Sequence, residues 1–217
     1  MVSAEQIIEA QDGETRVLHR TTLEAGATVS GTKADAGPDG RADWLDAVRR
    51  QHRVNFELWH IEDEARAPGA SDAELAGVKR RVDLTNQLRN DLAEQLDHVL
   101  LGWLGPKGLP NPAAELNSES PGLMIDRLSI LALKIYHTRQ EAERAGAPGG
   151  HAERNLERLA ILEEQRRDLA ACLDALWRET LAGTRRFKLY RQLKMYNDPA
   201  LNPAIYGANG QAKVTGG

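Results

Sequence analysis

The sequence predicts an all-α protein, a four-helix bundle built from two duplicated helical hairpins, followed by a C-terminal basic helix and an extended arm. Three observations lead there. Apolar residues recur every three or four positions through four long stretches, the period of a helix with one buried face. Nothing alternates as a half-buried strand would. Shifting the chain by 77 positions without a gap lays the second pair of stretches over the first, with His60 on His137, Glu64 on Glu141, Arg81 on Arg158, Arg89 on Arg166, Asp91 on Asp168 and Leu96 on Leu173.

Taken in order, residues 3–10 suit a short helix, while residues 26–42 are rich in small and polar types and contain Gly37-Pro38-Asp39-Gly40. That composition marks a mobile connector. Residues 1–42 are therefore expected to be mostly flexible, with a single helical domain over 43–206 and a disordered tail over 207–217. Trp44, Val48, Val54, Leu58 and Ile61 form the apolar stripe of a first long helix that ends near Pro68-Gly69. Ser71 followed by Glu74 is a capping box, and it opens a second helix running through Leu75, Val82, Leu92 and Leu96 to about Trp103. After a break rich in Pro and Gly, a third helix begins at Pro121-Gly122 and stops before Gly146. A fourth runs from about His151 to Gly183. The basic, aromatic stretch from Arg185 to Tyr196 reads as a helix, and the prolines at 199 and 203 favour an extended arm after it.

Composition narrows the function. The 217 residues carry a net charge of -4, so nothing global draws the chain to nucleic acid or anionic membrane. The segment with Phe187, Tyr190 and Tyr196 among five cations resembles a nucleic-acid surface in composition only, and nucleic acid is not the expected partner. No apolar run reaches the roughly 20 residues of a membrane span, and the first residues lack a secretory pattern. A cytoplasmic protein is expected. The single cysteine, Cys172, excludes an internal disulfide and reads as a small buried hydrophobe.

The third helix threads Asp126, Lys134, His137 and Glu141 through apolar surroundings, and ionisable groups so placed need partners. This stripe is the candidate working surface. If the halves are related by a pseudo-twofold, His60 and His137 face a shared axis, where bundles build ligand and metal sites. Glu57 and His60 have the Glu-x-x-His spacing of such a site, but Lys134 occupies the position equivalent to Glu57, and a protonated ammonium cannot ligate a metal. No metal is required. If one binds, Glu57, His60 and His137 are its ligands; otherwise each histidine is part of a structural hydrogen-bond network.

Arg89 falls inside the apolar arc of the second helix, so it needs either an aspartate on a neighbouring helix or a bound anion. The candidate acids and bases are His60, Asp126 and Glu119, and the candidate ligand-binding residues are Lys79, Asn86, Arg89, Asn90, Lys134 and His137. Ser118 or Ser120 suits the entry to the third helix by accepting amide hydrogen bonds, and the same amides suit an anion.

Four blocks carry a resemblance: Leu58-Trp59-His60-x-Glu62-Asp63-x-Ala65-Arg66, Lys79-Arg80-x-x-Asp83-x-x-Asn86-Gln87-x-Arg89-Asn90-Asp91, the stretch from Ser118 to His137, and Tyr190-Arg191-Gln192-x-Lys194-Met195-Tyr196-Asn197-Asp198-Pro199. Together they resemble a bacterial family of unknown function, the domain of unknown function numbered 4254. The resemblance implies a helical protein with polar residues at these motif positions and supplies no activity. The residues themselves point to a polar inter-helix site for a small anionic or polyhydroxylated ligand, with hydrolase or transferase chemistry open to it. The alternative is a non-catalytic interaction or scaffold subunit that docks a protein partner or forms a homodimer.

Overall fold

In the computed structural model, which describes residues 3–25 and 40–191, the chain forms five α-helices. These are α1 (Ala4–Ala25), α2 (Gly40–Glu64), α3 (Asp72–Leu104), α4 (Pro121–Ala142) and α5 (His151–Leu181). A single 3-10 turn, Gly105–Lys107, follows α3, and two short strands, β1 (Glu115–Leu116) and β2 (Arg185–Arg186), pair in parallel. The all-α class holds, and the four long helices lie close to their expected bounds. The capping box at the start of α3 forms as its sequence dictates: the Glu74 amide donates to Ser71 Oγ and the Ser71 amide to the Glu74 carboxylate.

The largest departure is at the N-terminal end. Instead of a short helix over 3–10, α1 spans 22 residues and lies in the core, so the ordered body does not begin near Asp43. Its buried stripe is Ala4, Ile7, Gln11, Thr15 and Leu18, which has helical spacing but is polar at its middle. Ion pairs fasten its flanks, Asp12 to Arg166 of α5 and Glu14 to Arg53 of α2. The described residues therefore form five helices, not four. The connector expected over 26–42 lies outside the described residues for positions 26–39, as do residues 192–196 of the expected basic helix, the arm after them and the 207–217 tail.

The expected basic helix is also corrected. Gly183 ends α5 with φ at 73°, a left-handed conformation that glycine adopts without strain, and the next residues pair with the loop before α4. The Asn117 amide donates to the Arg186 carbonyl at 2.7 Å, and Arg186 Nε donates to the Ala114 carbonyl at 2.8 Å. Residues 187–191 are not helical, and Phe187 is buried in the core instead.

That core joins Ile7, Val48, Leu96, Leu100, Leu104, Ile125, Leu128, Leu173 and Trp177 from all five helices. Where α3 crosses the start of α4, Asp97 does what Ser120 was expected to do. Its carboxylate accepts the Gly122 amide at 2.7 Å and the Ser120 hydroxyl, capping α4 from a neighbouring helix, while Ser120 makes no side-chain cap bond of its own. The α4 terminus thus meets an internal anion. Burial nonetheless lifts the Asp97 pKa to about 6, despite the opposing bonds from Ser120 and Gly122.

The close approach needs a glycine. A Cβ on Gly122 would lie 2.2 Å from the Ala93 carbonyl oxygen and 2.9 Å from Asp97 Cγ. Backbone cannot yield as a flexible side chain can, so Gly122→Ala should destabilise the fold by about 2 kcal/mol or more. Chemical denaturation checks this; a loss under 0.5 kcal/mol would show that the helices separate freely.

Candidate functional site

Helices α1, α2 and α4 run in the same direction, and their facing side chains meet level by level. Residues four apart share a helix face, so positions 52, 56 and 60 of α2 stand opposite 129, 133 and 137 of α4, with α1 completing each level. The first level is polar: Thr15, His52 and Ser129. The second is apolar: Leu18, Phe56 and Leu133. The third is made of three imidazoles, His19, His60 and His137.

Hydrogen positions in the polar level follow from its acceptors. Thr15 Oγ1 donates to the Gln11 carbonyl at 2.9 Å, which leaves it only acceptor capacity toward His52 Nε2 at 2.8 Å. His52 therefore carries its proton on Nε2, and its Nδ1 accepts from Ser129 Oγ at 2.8 Å. Asn55 Nδ2 donates to the same serine oxygen at 2.9 Å. Burial lowers the His52 pKa to about 3, with His19 and Arg53 adding to the effect, so the ring is neutral. Ser129 and His52 are both fully buried, and the pair is closed to any substrate.

Beside this level lies the buried carboxylate of Asp126. Its Oδ1 accepts from Gln51 Nε2 at 2.6 Å, Asn55 Nδ2 at 3.0 Å and Arg89 Nε at 2.9 Å, and its Oδ2 accepts from Arg89 Nη2. The expected aspartate partner of Arg89 on a neighbouring helix is thus Asp126. With four donors around it, Asp126 serves as an anchor and has little capacity left for proton transfer.

The imidazole level is half-buried. His60 Nδ1 bonds the Phe56 carbonyl at 2.9 Å and His19 Nδ1 the Thr15 carbonyl at 2.8 Å. The ring centroids lie 5.5 Å apart for His19 and His60, 4.9 Å for His19 and His137, and 6.0 Å for His60 and His137. Trp59 stacks on His137 at 4.9 Å, and Tyr136 on His19 at 4.1 Å. Burial, reinforced by the neighbouring imidazoles, lowers the His137 pKa to about 4, and burial also lowers that of His19.

A cavity of about 440 Å³ opens alongside, lined by Asn55, Trp59, Glu62, Asp63, Arg66 and Arg89 over an apolar floor of Leu58, Ile130 and Leu133. Arg89 thus joins the groove to the Asp126 network, and Trp59 joins it to the imidazoles. A second cavity of about 630 Å³ between α4 and α5 holds Glu119, Arg127, Lys134, Asp168 and Cys172.

The sequence-predicted site residues therefore separate. Asp126 and Arg89 meet, as do His60 and His137, but Glu119 pairs with Arg127 at the other cavity, and exposed Lys134 lies there too. Lys79 pairs with Asp83 on the exposed side of α3, and half-buried Asn86 and Asn90 line neither cavity. Glu57 is exposed, beside Arg81, and lies outside the histidine group. Cys172 is exposed, not buried. His19, His52 and Gln51 escaped the sequence reading, although the spacing from Gln11 through Thr15 to His19 on α1 was available as a signal.

A protein family described as "Protein of unknown function (DUF4254)" matches residues 45–189. No curated protein and no solved structure matches the chain. Among the described residues, no helix is long and apolar enough to cross a membrane.

The neutral His52 makes stability sensitive to pH. Its folded pKa of about 3 lies below the ordinary 6.5, so it imposes no penalty above pH 6.5, and its penalty grows by roughly 1.4 kcal/mol per pH unit as the pH falls from there. Asp97, with its raised pKa, acts in the opposite sense below about pH 6, and comparing a variant with its parent cancels that contribution. Between pH 6.5 and 5, unfolding free energies of His52→Asn should fall less steeply than those of the parent, by about 2 kcal/mol over the interval. Parallel slopes would mean that His52 is already charged in the folded protein.

Proposed function

Because the chain belongs to the DUF4254 family, whose name carries no activity, we propose its function from its own geometry: a helical-bundle protein of the cytoplasm that binds a small polyhydroxylated ligand in the groove between α2, α3 and α4. The observation that carries this reading is the lining of that groove. Trp59 offers an aromatic face, Glu62 and Asp63 offer acceptors, and Asn55, Arg66 and Arg89 offer donors around a 440 Å³ space, a volume suited to a small molecule. Carboxylates and guanidinium groups interleaved in this way suit hydroxyls, which both donate and accept. A simple anion is the weaker fit, since Asp126 already neutralises Arg89 and two carboxylates share the wall. Hydrolase or transferase chemistry at this site would fall to Glu62 and Asp63, which reach the cavity, in place of Asp126 and Glu119. The meeting of His52 with Ser129, Phe56 with Leu133 and His60 with His137 also supports descent of the α2–α3 and α4–α5 hairpins from one duplicated unit, since every pair is 77 positions apart.

Neutral monosaccharides or sugar alcohols should raise the melting temperature by several degrees at saturating concentration. Asp63→Asn and Trp59→Ala should each weaken binding roughly 10-fold or more. Phosphorylated sugars that bind far better than their neutral parents would reverse the preference for hydroxyls over charge. The absence of any shift across the panel would remove the reading.

The second reading, a subunit that docks a copy of itself, has its own support. Leu84 and Leu88 lie one turn apart on α3 and are 73% and 47% exposed. If they form a homodimer contact, sedimentation velocity will show a dimer that Leu84→Glu/Leu88→Glu converts to monomer. A monomeric parent at high micromolar concentration would rule it out.

A further inference from the structure

We propose that His19, His60 and His137 together hold one divalent first-row transition ion, with zinc as the ion the set suits. One ligand nitrogen from each ring lies within 4.8 Å of the other two, a spacing that needs only modest inward rotation to reach the roughly 3.3 Å between nitrogens of a tetrahedral site with metal–nitrogen bonds of about 2.0–2.1 Å.

The tautomers favour this. A backbone carbonyl can only accept, so His60 Nδ1, bonded to the Phe56 carbonyl, and His19 Nδ1, bonded to the Thr15 carbonyl, must both carry their protons. With Nδ1 donating, Nε2 is the nitrogen left on each of these two rings to ligate an ion, and the backbone bond fixes the ring plane, as outer-shell partners do for metal-bound histidines. His137 Nε2 is buried without a hydrogen-bond partner, although the ring is only half-buried. Trp59 and Tyr136 flank the cluster as flat walls and limit the directions in which the rings can swing.

The donor set restricts the ion. Three imidazoles without a thiolate suit zinc and its first-row neighbours, whereas calcium and magnesium require oxygen ligands. Three protein ligands leave a fourth position for water or a ligand oxygen, the arrangement of an open zinc site and not of a closed structural one. The ligands come from three helices, so the ion would also clasp α1 to the duplicated pair. This inference does not depend on the groove ligand: the metal site can fail while the groove binds sugars, and the reverse.

The test uses the full chain, stripped with EDTA and titrated with Zn²⁺ by calorimetry, with Co²⁺ absorption as a second probe. The expected result is one ion per chain, the intense visible bands of low-coordinate Co²⁺, and a higher melting temperature. His19→Gln, His60→Gln and His137→Gln should each weaken Zn²⁺ binding about 100-fold or more, and His151→Gln, which pairs with Glu141 elsewhere, should not. If a variant fails to fold, ¹⁵N resonances of the imidazoles in the parent decide: Zn²⁺ should shift three of the six histidines and leave the remainder in place. Failure of the parent to take up Zn²⁺, uptake retained by the His19→Gln and His137→Gln variants, or shifts at other histidines would overturn the proposal.

Discussion

The packing of the helices depends on the match made around one buried carboxylate. Asp126 is 6% exposed, and a charge so enclosed is tolerable only when hydrogen bonds and an opposite charge replace the water it has lost. Gln51 and Asn55 on α2 and Arg89 on α3 supply both. Sliding α2 along α4 by a turn would leave that carboxylate without its amide donors and detach His52 from Ser129. The ion pair alone contributes little net stability, since desolvation opposes its attraction. Its geometric demand sets the axial alignment of three helices, and the apolar and imidazole levels above it follow from that alignment.

Much of this was legible in the chain. Arg89 inside an apolar arc announced a buried partner, and the 77-residue offset pairs His60 with His137, whose rings lie 6.0 Å apart. Helix α1 was missed because its inward positions include Gln11, Glu14 and Thr15, whose polarity breaks the apolar stripe that betrays a core helix, with Gly13 in their midst. Those residues point inward because the level they join is itself hydrogen-bonded, a condition that periodicity in one segment cannot express.

The polar stripe assigned to α4 failed for a different reason. At about 100° per residue, His137 returns to within roughly 20° of Asp126, while Lys134 lies about 80° away. A helix packed on both sides can present those two directions to different neighbours, and α4 does: Asp126 and His137 face α1, α2 and α3, whereas Lys134 and Arg127 border the cavity against α5. Glu119, before the helix begins, follows Arg127 to that second cavity. Grouping the residues by charge placed in one site what the two sides of the helix divide.

The first helix stands outside the segment shared with the family, which begins at residue 45, yet it supplies one member to each of the three levels. A polypeptide trimmed to the shared segment would not be a smaller edition of the same molecule. It would carry an open furrow down its length, with Phe56 and Leu133 bared at the middle and orphaned polar rings on either side. Such a surface could be closed again only by a helix whose side chains repeat the same alternation of polar, apolar and aromatic levels.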